Sequence, residues 1–145
     1  MSAAIETRSL KMIEAHLFEV QAPEADVGRI LDAVTAIDPL AMTPAYDSNA
    51  FVSATGTERY RPREGAVAGV EEAARQRPGV VSITFETVRG ADLAACIAEA
   101  IFQVHSYQEP LIRITTVLTA RSKGLDDSAN PHRWWNTTGD WKGRA

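Results

Sequence analysis

Apolar residues along this chain change their period several times, and each change marks a structural element. Met12 to Val20 (MIEAHLFEV) is short and apolar enough for a strand, and it stops at Gln21-Ala22-Pro23. From there Val27, Ile30, Leu31, Val34 and Ile37 recur at the spacing of one helical face, which predicts a helix. Pro23 suits the first helical position, Glu24 and Asp26 sit where the positive end of the helix dipole favours them, and Pro39 disfavours continuation beyond Ile37. Asn49 to Thr57 (NAFVSATGT) returns to small, β-branched and aromatic residues and predicts a second strand ending near Gly56. Over residues 80–88, Val81, Ile83 and Phe85 alternate with Ser82, Thr84 and Glu86, so a third strand buries one face only. Gly90 breaks it and Asp92 lies near a helix start. Leu93, Cys96, Ile97, Ala100, Ile101 and Val104 then trace an apolar stripe that gives out around His105. Pro110 holds Glu109 extended, and Leu111 to Ala120 alternates Ile112, Ile114, Thr116 and Leu118 against Arg113, Thr115, Val117 and Thr119, a fourth strand.

The order β-α-β-β-α-β predicts an α+β, ferredoxin-like sandwich in which one face of an antiparallel sheet carries both helices. The other face and the sheet edges call for a cover, so a homo-oligomer is expected. Residues 1–121 form this domain, and residues 122–145 form a tryptophan-rich C-terminal extension.

Composition narrows the function classes. The chain has 145 residues, 45% of them hydrophobic, and a net charge of −4. A chain of this size can bury roughly 68–70% of its unfolded surface, enough for a core without staples. The single cysteine, Cys96, can make no internal disulfide, and the first residues lack the basic head and apolar run of a secretory signal, so a cytoplasmic protein is expected. No stretch reaches a membrane span, and the mild acidity argues against nucleic acid or anionic lipid as partner.

Two segments exceed a minimal domain. The link Glu58 to Gly79 is longer than ordinary loops, and its arginines at 59, 61, 63, 75 and 77 face glutamates at 58, 64, 71 and 72. Arg59, Arg61 and Arg63, interleaved with Tyr60, are candidates for an anionic ligand, but solvated or intersubunit salt bridges are the preferred reading. The tail from Ser122 holds Trp134, Trp135 and Trp141 beside His132 and Arg133. Asn130 to Asn136 (NPHRWWN) reads first as an anchor docked on the domain or a neighbour, and second as part of a pocket. The sequon at Asn136-Thr137-Thr138 carries no meaning in a cytoplasmic protein.

Catalytic patterns are thin. His16, His105 and His132 show no metal-ligand spacing, and the glycines at 56, 65 and 69 fit neither a phosphate loop nor a dinucleotide fingerprint. His105, Glu109 and Cys96 could meet around a metal, yet Cys96 lies in the helical stripe and reads as inert core. No catalytic residue is assigned, and a non-enzyme is expected.

His105-Ser106-Tyr107-Gln108-Glu109-Pro110, directly before the last strand, resembles the His-x-Tyr-Glu-Glu-Pro segment of the domain inserted in bacterial Nif-three-like (YqfO-type) proteins. The run from Gly56 to Ala66 (GTERYRPREGA) is similar to the glycine, aromatic, proline and Gly-Ala pattern of that domain after its second strand. The resemblance covers roughly residues 12–120. It implies the fold of the CutA and PII signalling proteins, trimers with ligand or metal clefts between subunits. The metal-binding residues of the Nif-three-like proteins lie in their flanking domain, so no metal site is carried over. Tyr107 and Glu109 would close a subunit interface, the preferred role, or line a cleft, with Arg113 or Arg61 as partners.

The leading expectation is therefore a non-catalytic, PII/CutA-like homo-oligomer, trimer rather than dimer, that binds a small ligand or metal ion in intersubunit clefts. Its candidate residues are His105, Tyr107, Glu109, Arg59, Arg61, Arg113, His132, Trp134 and Trp135; no cofactor is identified. Two alternatives stay open: a dimeric α+β barrel enzyme with a pocket lined by His16, His105 and the tryptophans, and an interaction module acting through the tryptophan tail.

Overall fold

The computed structural model describes residues 5–136. The described chain divides into two compact units, residues 13–119 and a second made of residues 5–12 with 120–136.

Five strands and two helices appear in the order β1 (Leu10–Pro23), α1 (Val27–Thr35), β2 (Phe51–Val52), β3 (Gly56–Tyr60), β4 (Arg75–Thr87), α2 (Ala91–Val104) and β5 (Ile112–Ser122). The sheet runs β2-β4-β1-β5, with β3 continuing beside β4 after β2. β1 lies antiparallel to β4, His16 opposite Thr87 through Pro23 opposite Val80. This is the ferredoxin-like order that the β-α-β-β-α-β reading expects.

One face of the sheet makes the core. Phe18, Val20 and Ala22 from β1 and Val81, Ile83 and Phe85 from β4 are buried against Ile30 and Val34 of α1 and Ala94, Ile97 and Ile101 of α2. The cross-strand pair Phe18 and Phe85 stacks with ring centroids 4.8 Å apart, a geometry that adds about 0.5–1.5 kcal/mol to simple burial. Leu17, Glu19 and Gln21, and Ser82, Thr84 and Glu86, are only half-buried on the helix-free face. Asp38, just after α1, is buried; it accepts from the Thr87 hydroxyl and from the amide of Leu40, which stands at φ 55°.

Several boundaries depart from the sequence reading. Pro23 ends β1 rather than opening a helix, because its strand still pairs with β4 there; a single 3-10 turn, Glu24–Asp26, precedes α1. The second strand is two pieces, and β3 reaches into the expected loop to Tyr60 while β4 begins at Arg75. The link therefore shrinks to residues 61–74. Cys96 is exposed, not core. It lies about 100° around the helix from Ile97, and the buried stripe runs through Ala94, Ile97 and Ile101 instead.

In the second unit, the Lys123 amide donates to the Ser9 carbonyl and its ammonium to the Thr7 carbonyl, each at 2.8 Å. Farther on, Arg133 pairs with Asp127 at 2.8 Å and Trp134–Asn136 forms a 3-10 turn. Trp134 and Trp135 meet edge to face, with 40% and 52% of their surfaces exposed in a single copy. Trp141, Thr137 and Thr138 lie outside the described residues.

Candidate functional site

A one-residue irregularity builds the site. Gly56 pairs with Val80, but Glu58 pairs with Arg77, so β4 spends three steps where β3 spends two. The extra residue falls at Pro78-Gly79, with Gly79 at φ 75°, the conformation a glycine-type bulge needs. Arg77 therefore shares a face with its opposite residue Glu58, and Arg75 with Tyr60. By strand alternation this is the helix-free face, the one that carries Gln21, Glu19 and Ser82.

The segment after α2 is tied down against this face. His105 is buried; its Nε2 lies 2.7 Å from the Gln21 carbonyl, and its Nδ1 accepts the Tyr107 amide at 3.1 Å. This pattern assigns the ring proton to Nε2 and occupies both nitrogens. The Asp26 carboxylate accepts from the Ser106 amide at 3.0 Å and hydroxyl at 2.6 Å, and Arg29 pairs with it at 2.7 Å while donating to the Val104 carbonyl. Burial pushes Asp26 up, but Ser106 and Arg29 together hold its carboxyl below the ordinary value of 3.8. Gln108 clamps the link from the other side: its Oε1 accepts the Val67 amide at 2.9 Å and its amide donates to the Gly65 carbonyl at 3.2 Å.

Between these elements lies an open cleft of about 1370 Å³, lined by Gln21, Pro23, residues 57–60, Pro62, Ala66, Val67, Ala68, Arg77, residues 106–109, Leu111 and Arg113. At its centre Arg77 packs against two aromatic rings, its guanidinium carbon 4.4 Å from the Tyr107 centroid and 4.8 Å from that of Tyr60. Arg77 also donates to the Tyr60 hydroxyl at 2.9 Å, whereas the Tyr107 hydroxyl donates to Glu58 at 2.7 Å. The two phenols respond oppositely. The bond from Arg77 lowers Tyr60, and burial raises Tyr107, with Arg77 pulling it down and Glu58 pushing it up. The phenols of Tyr107 and Tyr60 in turn hold Arg77 further toward its charged form. Such a cleft offers apolar walls, fixed aromatic faces and a pre-placed cation, the elements of a small-molecule site.

Arg59, Tyr107, Glu109 and Arg113 line this one cleft, and His105 stands behind Tyr107 with ring centroids 4.7 Å apart. Arg113 is taken by Glu19 at 2.7 Å, while Arg61 reaches only the Glu72 carbonyl at 3.4 Å and stays outside the lining. Arg59 and Glu109 are exposed and form no side-chain hydrogen bond or ion pair among the described residues. His132, Trp134 and Trp135 belong to the second unit. His16 sits in the β1–β4 ladder and does not line the cleft. Among the described residues no three His, Cys, Asp or Glu side chains gather as a metal ion requires. Arg77, Glu58, Gln108 and the Asp26–Ser106 tie are not singled out by hydropathy; the one available signal is the Pro78-Gly79 pair at the start of an alternating strand, which marks a bulge.

No protein-family model matches the sequence, and no curated protein matches it. Solved structures do. A Bacillus cereus protein related to NIF3 matches over 74% of this chain with a TM-score of 0.60 and 19% identity. This chain spans 26% of that protein, about a quarter of its length. The divalent ion tolerance protein CutA1 of Ehrlichia chaffeensis matches over 79% of this chain and 87% of its own, with a TM-score of 0.51 and 17% identity. CutA1 from Shewanella sp. SIB1 matches over 72% of this chain and 82% of its own, with a TM-score of 0.51 and 14% identity. The described chain thus has a ferredoxin-like fold of the CutA type, shared with part of a NIF3-related protein, as the resemblance over residues 12–120 implies. Among its described residues no helix is long and apolar enough to cross a membrane.

Proposed function

We propose that this chain is a CutA-type domain that assembles with copies of itself and holds a small molecule in the cleft beside Tyr107, acting as a binding or sensing module rather than an enzyme. The observation that carries the reading is the cleft itself: two tyrosines and an arginine fixed in one cluster, with Arg59 and Glu109 exposed in its lining and, among the described residues, unengaged. Self-association is supported by the edge position of β5, where Ile114 and Leu118 are 44% and 49% exposed, and by the uncovered sheet face on which the cleft lies. A second copy on that face would close the cleft, and the resemblance implies three copies in all. A small molecule fits better than a metal ion, since of the two carboxylates in the lining Glu58 is already engaged by Tyr107.

Native mass spectrometry of the purified chain, followed by a thermal-shift screen of small metabolites, tests this reading. Three subunits, and a melting shift that Tyr107→Ala removes, are expected. A monomer overturns the assembly; shifts that persist in Tyr107→Ala and in Arg59→Ala overturn the site.

A further inference from the structure

We infer that the cleft is an anion site centred on Arg77, and that its ligand presents a carboxylate or phosphate group to that guanidinium. The inference rests on the reading of the cleft as a ligand site and names the class of molecule it takes.

Arg77 is a half-buried cation that pairs with no carboxylate among the described residues. Arg29, Arg75, Arg113 and Arg133 each pair with a carboxylate, at 2.7, 3.3, 2.7 and 2.8 Å. Arg77 makes no such pair among the described residues, although Glu58 stands directly opposite it in the ladder. The Glu58 carboxylate is turned to the Tyr107 hydroxyl instead. Among the described residues the side chains that hydrogen-bond Arg77 are neutral phenols, Tyr60 at 2.9 Å and Tyr107. A partly desolvated guanidinium that meets only phenols retains in-plane N–H donors, and its fork matches the two oxygens of a carboxylate or phosphate.

The cation is also held in advance. Packing against two rings and the bond to Tyr60 restrict the side chain, so less ordering entropy is lost when an anion arrives. Those rings are themselves fixed, Tyr107 through Glu58 and the His105 contact and Tyr60 by its place in β3. Arg59, in the same lining and without an ion pair among the described residues, supplies a second positive charge, and Ala66, Val67 and Ala68 supply an apolar wall for the rest of the molecule.

The test is a titration of the full chain with sodium succinate and, separately, with inorganic phosphate, each against sodium chloride at matched ionic strength so that screening is subtracted. Melting temperature and the Arg77 Nε–H nuclear magnetic resonance signal are followed. At least one anion is expected to move both saturably, succinate alone marking a carboxylate ligand and phosphate alone a phosphorylated one. Arg77→Met, which keeps the stem between the rings and removes the charge, is expected to abolish the response. Arg77→Lys, which keeps charge without the fork, should weaken it by about tenfold or more and serves if the methionine variant does not fold. No saturable response to either anion in the wild type overturns the inference, as does an undiminished response in both variants. Loss of subunits in Arg77→Met, seen by native mass spectrometry, would assign the counter-charge to a second copy and overturn it too. A melting shift by an uncharged compound that needs Tyr107, with none by either anion, would sink this inference and leave the binding-module reading standing.

Discussion

Tyr60 and Tyr107 touch the same guanidinium, which lowers both phenols; at Tyr60 its bond prevails, whereas at Tyr107 burial does. Tyr60 ionises below the ordinary 10.0 and Tyr107 above it. With only three tyrosines in the chain, ultraviolet titration can separate them: Tyr60→Phe should remove absorbance from the low-pH side of the tyrosinate transition and Tyr107→Phe from the high-pH side. Coincident losses would mean that the cluster does not form. Asp26 gives a second residue-scale prediction. Because its carboxyl is held below 3.8 in the fold, its stabilisation is fully present above the unfolded value and disappears as pH falls through the folded one. Asp26→Asn should cost about 1–3 kcal/mol at neutral pH and flatten the loss of melting temperature below about pH 4. Neither tie was legible from residue order, since Asp26 looked like a helix-dipole partner and its real partner, Ser106, is distant in sequence. Cys96 was misplaced for a related reason: an i+3 spacing from Leu93 is satisfied equally by the margin of a buried stripe. It should react with a thiol reagent in the native protein, once per chain.

Elements were more legible than their ends. The period of Val81 to Phe85 and the stripe through Leu93, Ile97, Ile101 and Val104 both survive in the structure, because burial on one face leaves a repeat in the sequence. The second strand was harder to read. Its exposed residues, Phe51 and Val52 among them, obey no inside–outside rule, so the break between β2 and β3 and the extension to Tyr60 leave no hydropathy trace. Where a sharp local rule exists, the element gives a sharp prediction. Gly90, immediately before α2, sits at φ 92° and ψ 170°, a region in which only glycine is comfortable. Gly90→Ala should therefore lower stability by about 1–3 kcal/mol although open space surrounds the position. Ile97→Ala, which empties the centre of the helix–sheet core, should cost about 2–5 kcal/mol; chemical denaturation of both variants checks the two figures.

For the molecule as a whole, assembly is where the edges and the open sheet face matter. If β5 is an interface, Ile114→Lys and Leu118→Lys should reduce the subunit count in light scattering while leaving the isolated chain folded, because both side chains are already exposed in a single copy. An unchanged count in the double variant would move the interface elsewhere.

The doubled step at Pro78-Gly79 also bears on how this architecture can diverge. A strand carries a reading frame of two, and one extra residue shifts everything on its near side by half a period. Deleting Gly79 would leave every cleft residue in the sequence yet turn Arg77 away from Glu58. Residues 61–74 lie outside the β3–β4 ladder, so length changes there shift no frame. Relatives that keep this chemistry should then vary in loop length but preserve the count between Arg77 and Val81, and a search tuned to spacing will find them where one tuned to identity does not.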